Sequence, residues 1–136
     1  MRLFDAHNHV QDARFCGQQD ELITDCVAVG LSRMVVNGTC ESDWQTVAGL
    51  AKRHDCVLPS FGLHPWFVHE RSPEWLAKLG QQLDECPAAV GEFGLDRWKP
   101  GLSYEGQEEV FTAQLCLAAE RDLPASIHCL KTWGRL

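Results

Sequence analysis

The sequence predicts an α/β protein that forms part of a (β/α)8 barrel, a cylinder of parallel strands surrounded by helices. Short apolar runs typical of buried parallel strands alternate with segments in which apolar residues recur at helical spacing. The strands start roughly 25–35 residues apart, which is the length of one βα unit. The first strand is followed by "HNHVQD" rather than a glycine-rich phosphate loop, so a barrel is favoured over an open, doubly wound nucleotide-binding sheet.

The predicted strands are brief, largely apolar and five in number. They lie at about 2–6, 33–37, 57–62, 88–92 and 125–128. A barrel has eight strands and about 250 residues, so residues 1–136 are expected to be the N-terminal part of a single barrel domain, truncated after its fifth strand. Five strands cannot close a barrel, so we expect an unpaired strand edge and an inner face that meets water.

Four helices are predicted between the strands from apolar residues spaced three or four positions apart. Their marker residues are Leu22, Cys26 and Val29; Trp44, Val47, Ala48 and Ala51; Leu76, Leu79 and Leu83; and Phe111, Leu115 and Ala118. The third helix has the clearest start signal, with Ser72 as its N-cap and Pro73 in its first turn.

Charge and cysteine content restrict the classes of function. The formal net charge is −7, with acidic and basic residues interspersed, so a polyanionic substrate would have to be attracted by bound cations or local arginines. The seven cysteines are scattered without a CxxC pair, which favours reduced thiols over disulfides or a zinc-thiolate site. The sequence shows neither a signal core nor a membrane span, so a cytoplasmic protein without a membrane partner is expected.

Four of the five predicted strands end on side chains that can bind a metal ion. The first ends on "HNH", in which His7 and His9 share one face because side chains alternate along a strand. The third, fourth and fifth end on His64, Glu92 and His128. Active sites of barrels lie at the carboxyl ends of the strands, so these side chains are expected to converge there on a metal ion.

The other polar and aromatic candidates have structural or supporting interpretations. Asp5 lies deeper on the histidine face, where it would orient a ligand imidazole. Asp96 is either a support of a ligand or a loop cap. His54 ends a helix and complements its dipole, and His69 is expected in a solvated loop. Trp66 is the tryptophan expected to line a substrate cleft, with the other four in the core or in helix contacts.

Four blocks of the sequence resemble the motifs of a known family. The blocks "FDAHNH", "FGLHP", "GEFGLD" and "QEEVFTAQLCLAAERDLPASIHC" resemble those of the TatD-related metal-dependent hydrolases, a branch of the amidohydrolase-like barrels, in the same order. The resemblance implies a (β/α)8 barrel that binds one or two divalent cations, Mg²⁺, Mn²⁺ or Zn²⁺. Members of the family are most often described as DNases or phosphodiesterases.

Carried over position by position, the resemblance implies specific roles. His7 and His9 resemble the ligands of one metal, Glu92 the catalytic carboxylate that bridges both metals, and His128 a ligand of the second. The family also uses a histidine after strand six and an aspartate at the end of strand eight, and neither has a counterpart in this sequence.

Two further positions are expected to contact substrate. These are His64 and Trp66, although many members of the family have a histidine where this sequence has Trp66.

Three functional hypotheses remain open from the sequence. The first is a TatD-like hydrolase of phosphodiesters that acts on DNA ends. The second, in the same enzyme class, is a metal-dependent hydrolase of amides or esters. The third is a truncated, catalytically incompetent chain that acts as an interaction module and associates with itself through its open barrel edge.

Overall fold

The computed structural model describes all 136 residues, and its five strands form one parallel sheet. The strand order in the sheet is the same as the order in the chain, so every connection crosses to the next neighbour. The strands are β1 Leu3–Asn8, β2 Leu31–Asn37, β3 Val57–Phe61, β4 Ala89–Asp96 and β5 Ala125–Leu130.

The sheet curls into a half-barrel. His7 Nδ1 on β1 lies 3.1 Å from Ser126 Oγ on β5, although three strands separate β1 from β5 in the sheet. In a flat sheet, the two edge strands would lie roughly 19 Å apart. The curvature therefore brings side chains of the first and last strands into contact without pairing the strands, and it makes a partial barrel, as predicted.

One helix connects each pair of consecutive strands. The helices are α1 Gln19–Ala28, α2 Trp44–Arg53, α3 Trp75–Glu85 and α4 Tyr104–Glu120, and short 3-10 turns lie at Ala13–Phe15, Pro65–Glu70 and Trp133–Arg135. All four predicted helices and all five predicted strands are present. None of the helices has the length and apolar character that a membrane crossing requires.

The hydrophobic core lies between the outer face of the sheet and the helices. Helix residues outnumber strand residues in it, and both kinds are present, including Val36, Phe61, Phe93, Val47, Leu79 and Val110. Leu58, which follows the core residue Val57 on β3, and Ile127, which precedes His128 on β5, are 38% and 45% exposed. The helix-covered face therefore stabilises the sheet, while large apolar side chains remain accessible elsewhere on the strands.

The predicted start of the third helix is wrong by two or three residues. The helix begins at Trp75 without a side-chain cap, because Ser72 has a distant partner. The backbone N–H and the hydroxyl of Ser72 both donate to the carboxylate of Glu41, as does the ammonium of Lys78. Burial raises the pKa of Glu41, but these donors outweigh burial and lower it overall.

The tryptophans divide differently from the prediction. Trp44 and Trp75 are buried in the core, as expected. Trp98 and Trp133 are 58% and 78% exposed, so their predicted core or helix role is wrong. Both follow the ends of strands, Trp98 after β4 and Trp133 after β5, where no helix of the chain covers them.

Candidate metal centre

The five side chains expected at strand ends lie together at the carboxyl end of the sheet. They line a cavity of about 780 Å³ and form two groups with metal-ligating atoms close to one another. The two groups are His7, His9 and Glu92, and His64, Glu92 and His128. The parallel sheet explains this convergence, because the carboxyl ends of its strands meet at the same edge.

In the first group, two of the three side chains come from the edge strand β1 and the residue that follows it. His7 Nε2 and His9 Nε2 lie 3.3 Å apart, and each is 3.1 Å from Glu92 Oε2. His9 Nδ1 lies 2.8 Å from the carbonyl oxygen of Asn37, and a carbonyl only accepts hydrogen bonds. Nδ1 therefore carries a hydrogen, and in a neutral ring Nε2 presents its lone pair to Glu92.

The second group lies between β3, β4 and β5. His128 Nδ1 is 3.0 Å from Glu92 Oε1 and 3.2 Å from His64 Nε2. The other ring nitrogen, His128 Nε2, is 3.1 Å from Asp96 Oδ2. Glu92 therefore uses one oxygen in each group and connects the two.

The donor set fits a divalent cation. His9 Nε2 and His128 Nδ1, each opposite a ring nitrogen that donates a hydrogen, lie 3.1 and 3.0 Å from an oxygen of Glu92, an arrangement that needs positive charge between them. Without a cation, protons fill this role. The hydrogen bond to Glu92 raises the pKa of His9, whereas for His128 burial lowers the pKa but hydrogen bonds to Glu92 and Asp96 raise it overall. A cation with nitrogen and oxygen ligands replaces these protons.

Two other shifts agree with this electrostatic arrangement. Burial raises the pKa of Glu92, but hydrogen bonds from His128 and His9 outweigh it and hold the pKa well below its usual range. Burial lowers the pKa of His64 to about 4. Near pH 7 the carboxylate is charged and His64 is neutral.

Two glycines explain how Glu92 and His128 approach each other. A Cβ on Gly91 would lie 2.6 Å from Cβ of Ser126, and a Cβ on Gly94 would collide with the carbonyl oxygen of His128. Both glycines have a φ of +154°, which side-chain-bearing residues rarely adopt. The "GEFG" sequence therefore lets the backbone of β4 lie against β5 on both sides of Glu92.

Asp96 fills both of the roles that the sequence left open. Its Oδ1 accepts the backbone N–H groups of Trp98 and Lys99, which caps the loop after β4. Its Oδ2 lies 2.7 Å from Trp66 Nε1 and 3.1 Å from His128 Nε2. Asp96 thereby orients a candidate ligand imidazole, and Trp66 lines the cavity as expected.

The expected role of Asp5 is wrong. Its carboxylate accepts the backbone N–H of His7 and the side-chain amide of Asn8, because these groups are nearer to it than any imidazole ring. Ser126 and the Asn37 carbonyl contact the rings instead. The position of Ser126, two residues before His128, was a usable signal, whereas a backbone carbonyl leaves none in the sequence.

Seven further residues of the cavity lining are polar, and the sequence did not single them out. They are Gln11, Asp12, Arg14, Thr39, Ser42, Asp43 and Thr46. Arg14 is the only arginine or lysine of the lining, and one of its guanidinium nitrogens lies 2.7 Å from a carboxylate oxygen of Asp12. The lining also contains Trp66 and Phe67, and the ammonium of Lys99 lies 4.2 Å from the centre of the Trp66 ring.

Comparison with known proteins places this geometry in a family. A family model described as "TatD related DNase" matches residues 4–136. The "Uncharacterized metal-dependent hydrolase YjjV" of Escherichia coli (strain K12) is 30% identical, over 99% of this chain and 53% of its own length. The "3'-5' ssDNA/RNA exonuclease TatD" of Erwinia tasmaniensis is 35% identical, over 98% of this chain and 52% of its own.

The structural comparison agrees with the sequence matches. The crystal structure of YjjV, described as a TatD homologue from Escherichia coli K12, superposes with a TM-score of 0.91 at 30% identity, covering 99% of this chain and 53% of that one. The chain thus spans about half the length of the curated relatives it matches. It belongs to the TatD related DNase family, and its half-barrel is a partial form of the family's barrel fold.

Proposed function

We propose that this chain carries part of the active site of a metal-dependent hydrolase that cleaves phosphodiester bonds at DNA ends. The observation that carries the proposal is Glu92, whose two oxygens each meet a separate set of histidine nitrogens at 3.0–3.1 Å. Relatives named 3'-5' ssDNA/RNA exonuclease and metal-dependent hydrolase support the same class of reaction.

The proposed ligands divide between two cations. His7, His9 and Glu92 would hold one, and His128 and Glu92 would hold the other. Imidazole and carboxylate ligands suit Zn²⁺ and Mn²⁺ well and leave Mg²⁺ open. Bound in this position, such cations polarise a phosphoryl oxygen and lower the pKa of water.

The protein's own residues position these ligands and receive the substrate. The Asn37 carbonyl fixes the ring of His9, and Asp96 fixes the ring of His128. A cavity of about 780 Å³ accommodates a nucleotide-sized group. The chain has a net charge of −7, so the attraction of a polyanion falls to the bound cations and to Arg14 at the cavity wall.

The test is hydrolysis of a single-stranded oligonucleotide, labelled at its 5′ end, with added Mg²⁺, Mn²⁺ or Zn²⁺. Because the chain carries only part of the site, slow stepwise shortening from the 3′ end is expected for the native chain, and this activity is expected to vanish in His7→Ala and Glu92→Gln. His69→Ala is the matched control, because His69 has a 66% exposed side chain and lies outside the cavity. Equal activity in all four proteins would refute the proposal.

The same centre also fits the second enzymatic hypothesis. Metal-held histidines and a carboxylate support amide or ester hydrolysis by the same physical effects. A p-nitrophenyl ester and an oligonucleotide assayed side by side separate the two, and faster metal-dependent cleavage of the ester would favour the alternative.

A specific observation supports self-association as a second candidate function. The edge strands β1 and β5 each have only one neighbour in the sheet, and Phe4 on β1 is 58% exposed. Unpaired edges with apolar side chains favour association with other strands. Light scattering tests this: a stable monomer across the micromolar range would contradict it, whereas a dimer dispersed by Phe4→Lys would support it.

A cytoplasmic location is also part of the proposal. All seven cysteines are free thiols, which fits a reducing compartment.

A further inference from the structure

A connected set of hydrogen bonds links four side chains at the second histidine group. Trp66 takes part twice: its backbone N–H donates to His64 Nδ1 at 3.1 Å, and its indole Nε1–H donates to Asp96 Oδ2 at 2.7 Å. The same Oδ2 lies 3.1 Å from His128 Nε2. The set closes where His64 Nε2 lies 3.2 Å from His128 Nδ1.

When both rings are neutral, the chemistry of these groups fixes the direction of every bond. A backbone N–H only donates, so His64 Nδ1 accepts and the ring hydrogen of His64 is on Nε2. The carboxylate of Asp96 only accepts, so His128 carries a hydrogen on Nε2 and, as a neutral ring, a lone pair on Nδ1. His64 Nε2–H therefore donates to His128 Nδ1. The two histidines are opposites, since one presents a hydrogen and the other a lone pair.

We propose that His64 is a hydrogen-bond donor to a phosphate oxygen of the bound substrate and is not a metal ligand, with Trp66 as the residue that fixes its tautomer. The proposal deepens the function proposed above and rests on it. It assigns different roles to two histidines that face the same carboxylate.

The need for an acceptor follows from the local geometry. Once the lone pair of His128 Nδ1 is occupied by a cation, the His64 N–H loses its present partner. His64 is only 7% exposed, and an unsatisfied buried donor is unfavourable. The nearest carboxylate oxygen, Glu92 Oε2, is 4.0 Å from His64 Nε2, beyond hydrogen-bond distance. His64 lines the main cavity, so a ligand oxygen in that cavity is the available acceptor.

Trp66 is a positioning residue for two partners at once. Its backbone N–H sets the tautomer of His64, and its indole N–H helps to hold the carboxylate that orients His128. Trp66→Phe removes only the indole contact. The tautomer of His64 is therefore expected to persist in this variant, while the ring of His128 becomes less well oriented.

The first experiment reads the tautomers directly by NMR. Long-range ¹⁵N–¹H correlation spectra of the full chain, which is 15.3 kDa, are recorded without metal and after loading with Zn²⁺. We expect His64 to keep its Nε2–H form in both states and His128 Nδ1 to change on loading. A hydrogen on Nδ1 of His64, or a Zn²⁺-induced shift of its Nε2 like that of a ligand nitrogen, would overturn the proposal.

The second experiment separates ligand and donor roles with a matched pair of variants. The amide nitrogen of His64→Gln reaches the place of Nε2, whereas the shorter side chain of His64→Asn reaches only that of Nδ1. Both variants are expected to keep the native number of bound Zn²⁺ ions. Inorganic phosphate is expected to bind the Zn²⁺-loaded Asn variant ~10-fold or more weakly than the native chain, and the Gln variant within ~3-fold of it, because hydrogen bonds to charged groups are the stronger class.

The outcomes distinguish this proposal from the function on which it rests. Loss of bound Zn²⁺ in both variants would make His64 a ligand, and unchanged phosphate affinity in the Asn variant would remove its role as a donor; either result overturns the proposal alone. A native chain that binds no Zn²⁺ would overturn the proposed function as well. A thymidine dinucleotide is titrated in parallel. Its affinities for the native chain and the two variants are expected to stand in the same ratio as those of phosphate. A different ratio of affinities would limit the donor role to free phosphate.

Discussion

The two histidine groups beside Glu92 share a carboxylate but differ in burial and support. In the first group, the side chains of His7 and His9 are 39% and 34% exposed and belong to an edge strand and the residue after it. In the second, those of His64 and His128 are 9% and 17% exposed, and the carboxylate of Asp96 holds one of the rings.

The comparison of the two groups shows that the number of ligand atoms and the rigidity of the side chains are separate properties in this centre. In the proposed centre the first group would supply three ligand atoms, which is the usual protein share of a catalytic zinc site, but its rings are partly exposed to solvent. The second is rigid, yet with His64 as a hydrogen-bond donor it supplies only two ligand atoms. We therefore expect the first group to bind a cation more tightly than the second.

The largest effect is expected from substitution of Glu92, the residue that the two groups share. Glu92→Gln removes the negative charge from both, so cation affinity is expected to fall by ~100-fold or more at each, as measured by isothermal titration calorimetry with Mn²⁺. Glu41→Gln is the control, because Glu41 is a hydrogen-bonded carboxylate outside the cavity. Native affinity in Glu92→Gln would mean that the groups do not bind through this residue.

Removing one histidine at a time tests the order of affinities. His9→Ala is expected to abolish binding of the tighter cation, at the first group. His128→Ala is expected to abolish only binding of the weaker cation, at the second group, because each ring belongs to one group. Electron paramagnetic resonance of Mn²⁺ titrations counts the two classes of bound ion. If His128→Ala removed the tighter ion instead, rigidity rather than ligand number would determine affinity in this centre.

Asp96→Asn tests the support of the second group alone. The amide retains an oxygen for the loop but loses the charge that orients His128, so affinity at the second group is expected to fall about 10–100-fold. The first group should be unaffected, since Asp96 contacts neither His7 nor His9. An equal loss at both groups in calorimetry would indicate general destabilisation, which a matched thermal-unfolding measurement would detect.

The smallest expected effect is the response to pH. The pKa values of His9 and His128 are raised above 6.5, so protons compete with cations up to a higher pH than for free imidazole. Cation affinity should fall by up to about tenfold per pH unit and per proton as the pH drops through these pKa values.

The metal-free chain should show the opposite trend in stability. Because the folded pKa values of His9 and His128 are raised, their stabilisation is complete below pH 6.5 and is lost as the pH rises through the folded pKa. The thermal midpoint without metal is therefore expected to decrease as the pH rises above 6.5. A midpoint that increases over this range would contradict the charged pairing of these histidines with Glu92.

Much of the fold and of the centre could be predicted because both follow local rules. Hydrophobic period identified every strand and helix, and the rule that barrel sites lie at strand ends selected His7, His9, His64, Glu92 and His128 before any coordinates. The residues that mark helix starts were less reliable. Ser72 is of a type that commonly caps a helix, but its backbone N–H and hydroxyl donate instead to Glu41, which lies in the preceding βα unit.

The supporting interactions were harder to predict because they depend on distance in space. Asp5 shares a strand with His7 yet contacts only its backbone, while the ring meets Ser126, 119 positions later in the chain. Asp96 could be assigned to loop or ligand only once Trp66 and His128 were seen to meet at the same oxygen.

The α/β class, the order of the elements and the side chains at the strand ends follow from the sequence alone, because periodicity and strand-end position are properties of neighbouring residues, and the family follows from the resemblance of four motif blocks. Only the tertiary structure decided which nitrogen of each histidine faces Glu92 and which histidine carries a hydrogen toward the cavity. The reason is physical: a tautomer is set by the partner of the opposite ring nitrogen, and for His9 and His128 that partner comes from another strand.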